Sequence, residues 1–326
     1  MTVPKVPSVD RPTIAVLGEA ILDFTSTIDA PLELHGHPGG SPLNTGVAAA
    51  RQGQSVASLT QFSTDQFGAA IVDWLHDNGV STAWAQFSTA PCAMAIVTAS
   101  PQGAVFSFRG SGSADTLWDP QPRPVLPDSL RAVQLSMLTC LTPISAASAF
   151  DVLDSHRDRA VILLDPTVRP MLNNDRNVWR TTLDRFAPLA HIIKASDQDL
   201  EFLYPGVDPV DAARSLVAPG RLVILTLGGD GARLFGLSDG QEVSVSVPAV
   251  TVVDTVGAGD TLAGSLLAWL IDHGLNSPTD LFALTPAVWD QALRFASTAA
   301  AITCTRPGAD PPTKAETLAA LSASQT

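Results

Sequence analysis

Apolar residues follow two different spacings along this chain. Short runs rich in Val, Ile and Leu predict strands, and longer stretches in which apolar residues recur every three or four positions predict helices. The predicted strands are residues 13–18, 56–62, 133–138, 160–165, 191–194 and 221–228. The predicted helices between them are residues 43–52, 65–78, 145–154, 178–186 and 208–217. Strands that alternate with helices in this way are typical of a parallel sheet covered by helices on both faces.

Two segments, residues 24–37 and 90–109, break this alternation. Both contain alternating apolar and polar positions, and two such runs flank the turn residues 101–103, which predicts a hairpin. We expect the two segments to form one small β-sheet. Open α/β sheets bind ligands at the carboxyl ends of their strands, so we expect the small sheet to form a lid there.

The chain is therefore expected to fold as one α/β domain with a β lid. The α/β domain is assigned residues 13–23, 38–89 and 110–326, and the lid is assigned residues 24–37 and 90–109. The last part of the domain is predicted to contain an antiparallel passage and two long helices, at residues 241–247, 258–273 and 286–304. Residues 1–12 contain several prolines and no apolar core, so we expect a loose tail and not a signal peptide.

The charge balance narrows the functions of such a fold. The 326 residues include 19 Lys and Arg against 32 Asp and Glu, which gives a net charge of −13. A chain without a basic stripe cannot neutralise a polymer of phosphates, so we expect no binding to nucleic acid or to anionic membranes. Its apolar runs also fall far short of the ~18–20 residues of a membrane span. The three widely separated cysteines argue against a disulfide framework and favour a reducing, cytoplasmic compartment.

The strongest chemical signal is residues 254–260, which read DTVGAGD and lead directly into an amphipathic helix. Glycines before a helix let several free N–H groups converge on one point, and the helix dipole favours an anion there. Asp260 adds a carboxylate in the same first turn. It can take the proton of an attacking hydroxyl while the N–H groups hold a transferred phosphoryl group. The alternative interpretation is a glycine-rich turn in which Asp260 only begins the helix.

Three other catalytic loops are absent from the sequence. The chain contains no G-x-x-x-x-G-K-[ST] P-loop, no G-x-G-x-x-G after its first strand and no G-x-S-x-G elbow. The sequence therefore lacks the main motif evidence for a P-loop enzyme, a dinucleotide-dependent oxidoreductase or an α/β-hydrolase.

A second signal is residues 39–50, which read GGSPLNTGVAAA. Two glycines, Ser41 as the cap and Pro42 at the first helical position predict a loop that enters a helix. Asn44 then lies in the first turn and faces the cleft, where its amide can donate to and accept from sugar hydroxyls.

Residues 39–53 and 254–260 together resemble the two signatures of the ribokinase-like (PfkB-type) carbohydrate kinases, in the same order. The resemblance extends over about residues 13–310 and includes residues 18–23, 194–199, 226–232 and 304–309. It implies an α/β fold, a ribokinase-like three-layer sandwich with a central, mostly parallel sheet and a small β-sheet lid. It also implies ATP-dependent phosphorylation of a sugar hydroxyl, with a sugar and ATP as partners.

The resemblance implies a role for each matching position. Asp260 would be the catalytic base, and the backbone amides of Gly257, Ala258 and Gly259 would form the anion hole. The residues implied to bind the sugar are Asp23, Gly39, Gly40, Asn44, Arg109 and Arg169. The residues implied to bind the nucleotide are Lys194, Ser196, Thr226, Gly228, Gly231 and Ser297.

Metal sites are implied at two further positions. Asp199 would order water around the Mg²⁺ that accompanies ATP, and Asp254 with residues 304–308 resembles the region where relatives hold a monovalent cation such as K⁺. Many relatives have Asn-x-x-Glu where this chain has Ser196 and Asp199, so the carboxylate is one methylene shorter. The alternative interpretation of these two residues is a solvated helix start.

Within the family, residues 106–110, 113–115, 165–169 and 194–196 are similar to the fructokinase subgroup. Fructose is neutral, and Asp23 and Asn44 suit its hydroxyls, whereas 2-keto-3-deoxygluconate would need a cation such as Arg109 or Arg169. That acid kinase is the alternative, followed by ribokinase or a nucleoside kinase and, more remotely, a non-catalytic sugar-binding relative. Lid strands often meet across a dimer axis in similar proteins, so a homodimer through the lid is also expected.

Overall fold

The computed structural model describes residues 11–27, 29–30, 32–100 and 103–323. The predicted tail, residues 1–12, lies outside the described residues except for its last two. In chain order the strands are β1 (Ile14–Leu17), β2 (Ile21–Ser26), β3 (His35–Gly39), β4 (Val56–Leu59), β5 (Gln61–Ser63), β6 (Val80–Ser81), β7 (Gln86–Ser88), β8 (Ala93–Ser100), β9 (Gly103–Arg109), β10 (Ala132–Ser136), β11 (Val161–Asp165), β12 (Ile192–Ser196), β13 (Leu222–Thr226), β14 (Ala232–Phe235) and β15 (Val243–Val245).

In the described part of the chain, seven α-helices lie within two residues of the predicted bounds, and those at residues 197–203, 278–282 and 314–323 were not predicted. The α-helices are α1 (Ser41–Arg51), α2 (Gln66–Asp77), α3 (Pro143–His156), α4 (Arg176–Phe186), α5 (Asp197–Leu203), α6 (Pro209–Ser215), α7 (Ala258–Asp272), α8 (Pro278–Phe282), α9 (Pro286–Cys304) and α10 (Lys314–Ala323). None of the helices in the described ranges is long and apolar enough to cross a membrane.

Nine strands form the central sheet, in the order β15-β14-β13-β12-β11-β10-β1-β4-β6. The pairs from β13 to β6 are parallel, and β14 and β15 add two antiparallel strands at one edge. The predicted mostly parallel sheet is therefore confirmed, including the antiparallel passage near residues 241–247.

Helices cover both faces of this sheet. Successive residues of a strand point to opposite faces, and in β1 Ile14 and Val16 lie in one apolar cluster while Ala15 and Leu17 lie in the other. The first cluster includes buried residues of α1, α2, α7 and α9, and the second includes buried residues of α3, α4, α5 and α6. The three-layer α/β/α sandwich is confirmed, and the apolar strand runs are explained by burial on both faces.

A separate four-stranded sheet has the order β3-β2-β8-β9. The hairpin predicted around residues 101–103 is present as the antiparallel pair β8 and β9, although residues 101 and 102 lie outside the described residues. β2 begins at Ile21 and β3 ends at Gly39, so the sheet includes residues on either side of the predicted segment 24–37. That this sheet acts as a lid, and joins two copies of the chain, stays a prediction.

The prediction of one strand over residues 56–62 is wrong. β4 ends at Leu59, and β5 then leaves the central sheet to pair with β7. Thr60, between the two strands, donates from its hydroxyl to the carbonyl oxygen of Gly18 at 2.6 Å. Val56 and Leu59 of β4 and Phe62 of β5 are all buried, so the sequence pattern does not show the change of partner strand.

Candidate active site

Two helix N-termini meet beside the small sheet. α1 begins directly after β3, and α7 begins within the DTVGAGD segment. The helices cross closely at Gly264, where an added Cβ would lie only 2.4 Å from the backbone oxygen of Thr45. Since only glycine leaves room for that oxygen, Gly264 allows the first turns of the two helices to face each other.

Asp260, in the first turn of α7, is held by two side chains of α1. Its Oδ1 accepts a hydrogen bond from Ser41 Oγ at 2.7 Å, and its Oδ2 accepts one from Asn44 Nδ2 at 3.0 Å. Each carboxylate oxygen has a second lone pair, so both bonds leave capacity to accept a proton. The arrangement fixes the orientation of the carboxylate without blocking its chemistry.

The pKa of Asp260 is raised above its ordinary value. Burial is the largest cause, and the charge of Asp165 adds to it, while the bonds from Ser41 and Asn44 and the charge of Lys194 lower the pKa. A more basic carboxylate is a better proton acceptor for a hydroxyl than an exposed aspartate.

The expectation that Ser41 caps α1 is wrong. Gly40 occupies the cap position and makes no side-chain cap bond, Ser41 is the first helical residue, and Pro42 follows it. The Ser41 hydroxyl is directed instead to Asp260, 219 positions later in the sequence. Its role depends on a partner that no local pattern identifies.

The amides predicted as an anion hole lie at the start of α7. Gly257 adopts a left-handed conformation with φ 76°, and an added Cβ would lie 2.5 Å from the Cβ of Ala309. The Ala258 amide donates to the carbonyl of Thr255 at 3.3 Å. Within the described residues, the amides of Gly257 and Gly259 have no acceptor, so these two are available to an anion.

Asp23 lies on β2, next to the glycines that precede α1. An added Cβ at Gly39 would lie 2.0 Å from Asp23 Oδ2, so the absence of a side chain there leaves space for the carboxylate. Burial raises the pKa of Asp23 to about 6; the charges of Arg169 and His37 lower it, and that of Asp260 raises it. Asp23 therefore shares one electrostatic environment with Asp260 and Arg169.

The two arginines predicted at the sugar site differ in their surroundings. Arg169 acts on the pKa of Asp23, as described above. Arg109, at the end of β9, is exposed and donates to its own strand, to Ser107 Oγ and to the Phe108 carbonyl. Of these two arginines, only Arg169 is among the charges that lower the pKa of the predicted sugar ligand Asp23.

Lys194 forms a buried ion pair that the sequence did not reveal. Its Nζ lies 2.5 Å from Asp165 Oδ2, and both residues are only 4% exposed. Burial lowers the pKa of Lys194, but the charge and hydrogen bond of Asp165, with the charge of Asp260, outweigh burial and raise it. The ammonium also lies 3.4 Å from the position of an added Cβ at Gly259, one of the two residues with a free amide.

Ser196 and Asp199 form a capping box at the start of α5. Asp199 Oδ2 accepts from the Ser196 amide at 2.9 Å and from Ser196 Oγ at 2.6 Å, and Oδ1 accepts from the Val168 amide at 2.9 Å. Three donors use most of the acceptor capacity of this carboxylate. The predicted roles of both residues toward nucleotide and metal stay predictions.

The other residues predicted to bind the nucleotide fall in two places. Thr226 pairs in register with Ser196, and the turn that follows contains Gly228 and Gly231, both with positive φ. An added Cβ at Gly231 would lie 1.9 Å from the Val245 carbonyl oxygen, so this turn packs against β15. Ser297 is fully buried in α9, and its hydroxyl has no hydrogen-bond partner in the described part of the chain.

Asp254 and the loop after α9 are brought together. Asp254 Oδ1 accepts from the Val256 amide at 3.0 Å and Oδ2 from the Gly308 amide at 2.9 Å, while the Asp254 amide donates to the Cys304 carbonyl at 3.2 Å. Each carboxylate oxygen accepts one bond, so oxygen lone pairs remain for a cation.

Comparison with known proteins identifies the family. A family model described as "pfkB family carbohydrate kinase" matches residues 11–316. This chain belongs to that family. The chain is therefore an ATP-dependent sugar kinase.

Relatives and solved structures agree with this assignment. "Fructokinase-1" of Zea mays is 32% identical over 327 residues, which cover 94% of this chain and 97% of the relative. The structure of a fructokinase with bound ATP from Xylella fastidiosa superposes with a TM-score of 0.86 at 24% identity, covering 97% of this chain and 100% of that one. A fructokinase double mutant of Vibrio cholerae, bound to fructose, ADP and potassium ion, has a TM-score of 0.79 at 23% identity, with coverage of 95% and 99%.

Three residues that contact the site of this kinase were missed as site residues by the sequence reasoning. They are Glu19, Ser41 and Asp165, which bond respectively to the start of α1, to Asp260 and to Lys194. Glu19 and Asp165 follow or end buried strands, and an acidic residue at that edge of a parallel sheet was the available signal.

Proposed function

We propose that this sugar kinase is a fructokinase, which transfers the terminal phosphoryl group of ATP to a hydroxyl of D-fructose. The observation that supports the chemistry is Asp260 in the first turn of α7, held by hydrogen bonds from Ser41 and Asn44 of α1. The support for the substrate comes from relatives named as fructokinases, such as the Zea mays protein at 32% identity.

In the proposed mechanism, Asp23 and Asn44 orient the sugar. Asn44 donates to Asp260, and its Oδ1 has no partner among the described residues, so this oxygen can accept from a sugar hydroxyl. Asp260 takes the proton of the attacking hydroxyl as the new O–P bond forms and the bond to the leaving ADP oxygen breaks. The amides of Gly257 and Gly259 stabilise the charge on the transferred group.

Metal ions are part of the proposal. Mg²⁺ prefers phosphate oxygens and water, and it neutralises charge on the transferred group when it arrives with ATP. Asp199 has little acceptor capacity left, so its contribution is limited to ordering water. We propose a K⁺ site near Asp254 and residues 304–308, where lone pairs of the Asp254 carboxylate remain. The structurally similar fructokinase double mutant of Vibrio cholerae is in a potassium ion bound form.

A coupled assay of ADP release tests the proposal against a panel of sugars. We expect D-fructose to give a higher kcat/KM than 2-keto-3-deoxygluconate, ribose or a nucleoside, because a site that reads particular hydroxyls discriminates strongly against other ligands. Asp23→Ala is expected to abolish fructose use and to leave ATP binding intact. A preference for the acid that is lost in Arg169→Ala or Arg109→Ala would instead identify a 2-keto-3-deoxygluconate kinase.

The role of Asp260 has its own test. Asp260→Asn keeps the shape and the bonds from α1 but removes the base, so kcat should fall by about 10²–10⁴ while nucleotide affinity changes little. An Asp260→Asn variant that turns over sugar at nearly the wild-type rate would show that the base has been assigned wrongly.

A further inference from the structure

Glu19 is a buried carboxyl group that the proposed mechanism does not use. It lies in the connection between β1 and β2 and is 2% exposed. Its Oε1 accepts a hydrogen bond from the Ser41 amide at 2.9 Å, and its Oε2 has no partner in the described part of the chain. Burying a carboxyl group with one unpaired oxygen costs free energy, which suggests that Glu19 is retained for a function.

That single bond satisfies the first amide of α1. The first amides of a helix have no acceptor within the helix, and Gly40 at the cap position has no side chain that could accept from any of them. Glu19 supplies the missing acceptor from a different segment, and a carboxyl group at a helix N-terminus also interacts favourably with the helix dipole.

The connection that carries Glu19 is packed tightly against the start of α1. Gly40 has φ 108°, and an added Cβ there would lie 2.5 Å from the Glu19 backbone oxygen. An added Cβ at Gly18 would lie 2.8 Å from the ring of Pro42. Little space therefore remains for α1 to shift relative to Glu19.

Ser41 connects Glu19 to the proposed base. Its amide donates to Glu19, and its hydroxyl donates to Asp260 Oδ1 at 2.7 Å. We propose that Glu19 is a positioning residue for Asp260, which acts by fixing the first turn of α1 so that Ser41 holds the catalytic carboxylate. This inference rests on the proposed role of Asp260 as the base.

The electrostatics of the site give this proposal a measurable signature. The bond from Ser41 lowers the pKa of Asp260 against the effect of burial, so weakening that bond should raise the pKa further. Burial raises the pKa of Glu19 to about 7; the nearby donor groups of Ser136, Glu19 itself and Ser41 lower it, and the charge of Asp115 raises it. The charge of Glu19 also contributes to raising the pKa of the buried Cys140 thiol, after burial.

A double-mutant cycle tests the connection. Glu19→Ala, Ser41→Ala and the combined variant are assayed for ADP release with the sugar that the wild type uses best, from about pH 5 to pH 9. A catalytic group displaced by about 1 Å can lose up to about 10² in rate, so we expect Glu19→Ala to lower kcat by about 10- to 100-fold. The acidic limb of the pH profile should move to higher pH, and the KM for ATP should change little.

Two further comparisons separate positioning from general stability. Glu19→Gln keeps an oxygen that can accept from the Ser41 amide, so its kcat and acidic limb should remain close to wild type. Asp115→Asn is the matched control, since Asp115 is a neighbouring buried carboxyl group that bonds to Ser113 Oγ and not to α1. It should leave the acidic limb in place.

The cycle decides the proposal. The combined variant should be no slower than the slower single variant, because both changes break one connection. Additive losses, an unmoved acidic limb in Glu19→Ala, or a Gln variant as slow as Ala would overturn it. If Glu19→Ala does not fold, Ser41→Ala must move the acidic limb and Glu19→Gln must not.

The same experiments distinguish a failure of the proposed function from a failure of the positioning role of Glu19. A wild type that prefers a sugar other than fructose contradicts the proposed substrate, while the cycle is still measured on the preferred sugar. An Asp260→Asn variant with wild-type kcat contradicts the proposed base and, with it, the positioning role.

Discussion

Replacing Lys194 by Met separates the structural role of the buried ion pair from its role in catalysis. The variant removes an ammonium that lies 2.5 Å from Asp165 Oδ2, at a place where each residue is 4% exposed. Asp165 then remains buried without its partner. Breaking a buried pair in this way lowers the free energy of unfolding by about 3–5 kcal/mol.

A double variant, Lys194→Met with Asp165→Asn, removes both charges. The Thr167 amide and hydroxyl donate to Asp165 Oδ1 at 3.0 and 3.1 Å, and the side-chain oxygen of Asn can still accept both bonds. Because buried pairs can often be replaced by neutral groups at little cost, we expect most of the lost stability to return. Urea unfolding followed by circular dichroism measures the change in midpoint at constant slope.

Catalysis should not return with stability. At an effective dielectric constant of about 20, unit charges about 4 Å apart interact by about 4 kcal/mol, and each 1.36 kcal/mol is about tenfold in rate. An ammonium next to Gly259 would act on the transferred phosphoryl group over a similar distance, so kcat should fall by about 10²–10³ in both variants. A Lys194→Met variant as stable as the wild type, or a double variant with near wild-type kcat, would refute this reasoning.

Three further outcomes follow from particular contacts. Gly264→Ala should lower the free energy of unfolding by about 1–3 kcal/mol in urea titrations, because its Cβ would lie 2.4 Å from the Thr45 oxygen. Gly229→Ala is the control, since its Cβ would meet no atom within 4 Å and the free energy of unfolding should not fall. Asp23 binds a proton below a pKa of about 6, so the KM for the sugar should rise as the pH drops below about 6, and Asp23→Asn should remove that dependence of KM. If the small sheet closes on substrate, hydrogen exchange should show β2, β3, β8 and β9 gaining protection together when sugar is added; unchanged exchange at saturating sugar would reject closure.

The layers of the fold could be predicted from the sequence because burial acts locally. Strands such as β11 and β13 are apolar at almost every position, and their bounds differ from the predicted ones by only one or two residues. The same signal failed at Thr60, where two buried strands follow each other but belong to different sheets. An apolar run reports burial and does not report the partner strand.

The sequence identified candidate site residues where glycines precede a helix, but it did not identify their partners that lie far away along the chain. The DTVGAGD segment identified Asp260 as a candidate, but Ser41 is 219 positions away from it. Asp165 and Lys194 are 29 positions apart and meet because β11 and β12 are neighbouring strands. Pairings of this kind depend on strand order, which a single sequence does not display.

The bond between Ser41 and Asp260 also has a consequence for the synthesis of the protein. α1 is synthesised early. The helix α7, which packs against the small residues of α1 and accepts the hydrogen bond of the Ser41 hydroxyl through Asp260, ends only at Asp272. A partly synthesised chain that lacks α7 therefore lacks the proposed base. Recovery of phosphoryl transfer during refolding should consequently lag behind the recovery of helical circular dichroism, because activity requires the long-range docking of α7 on α1.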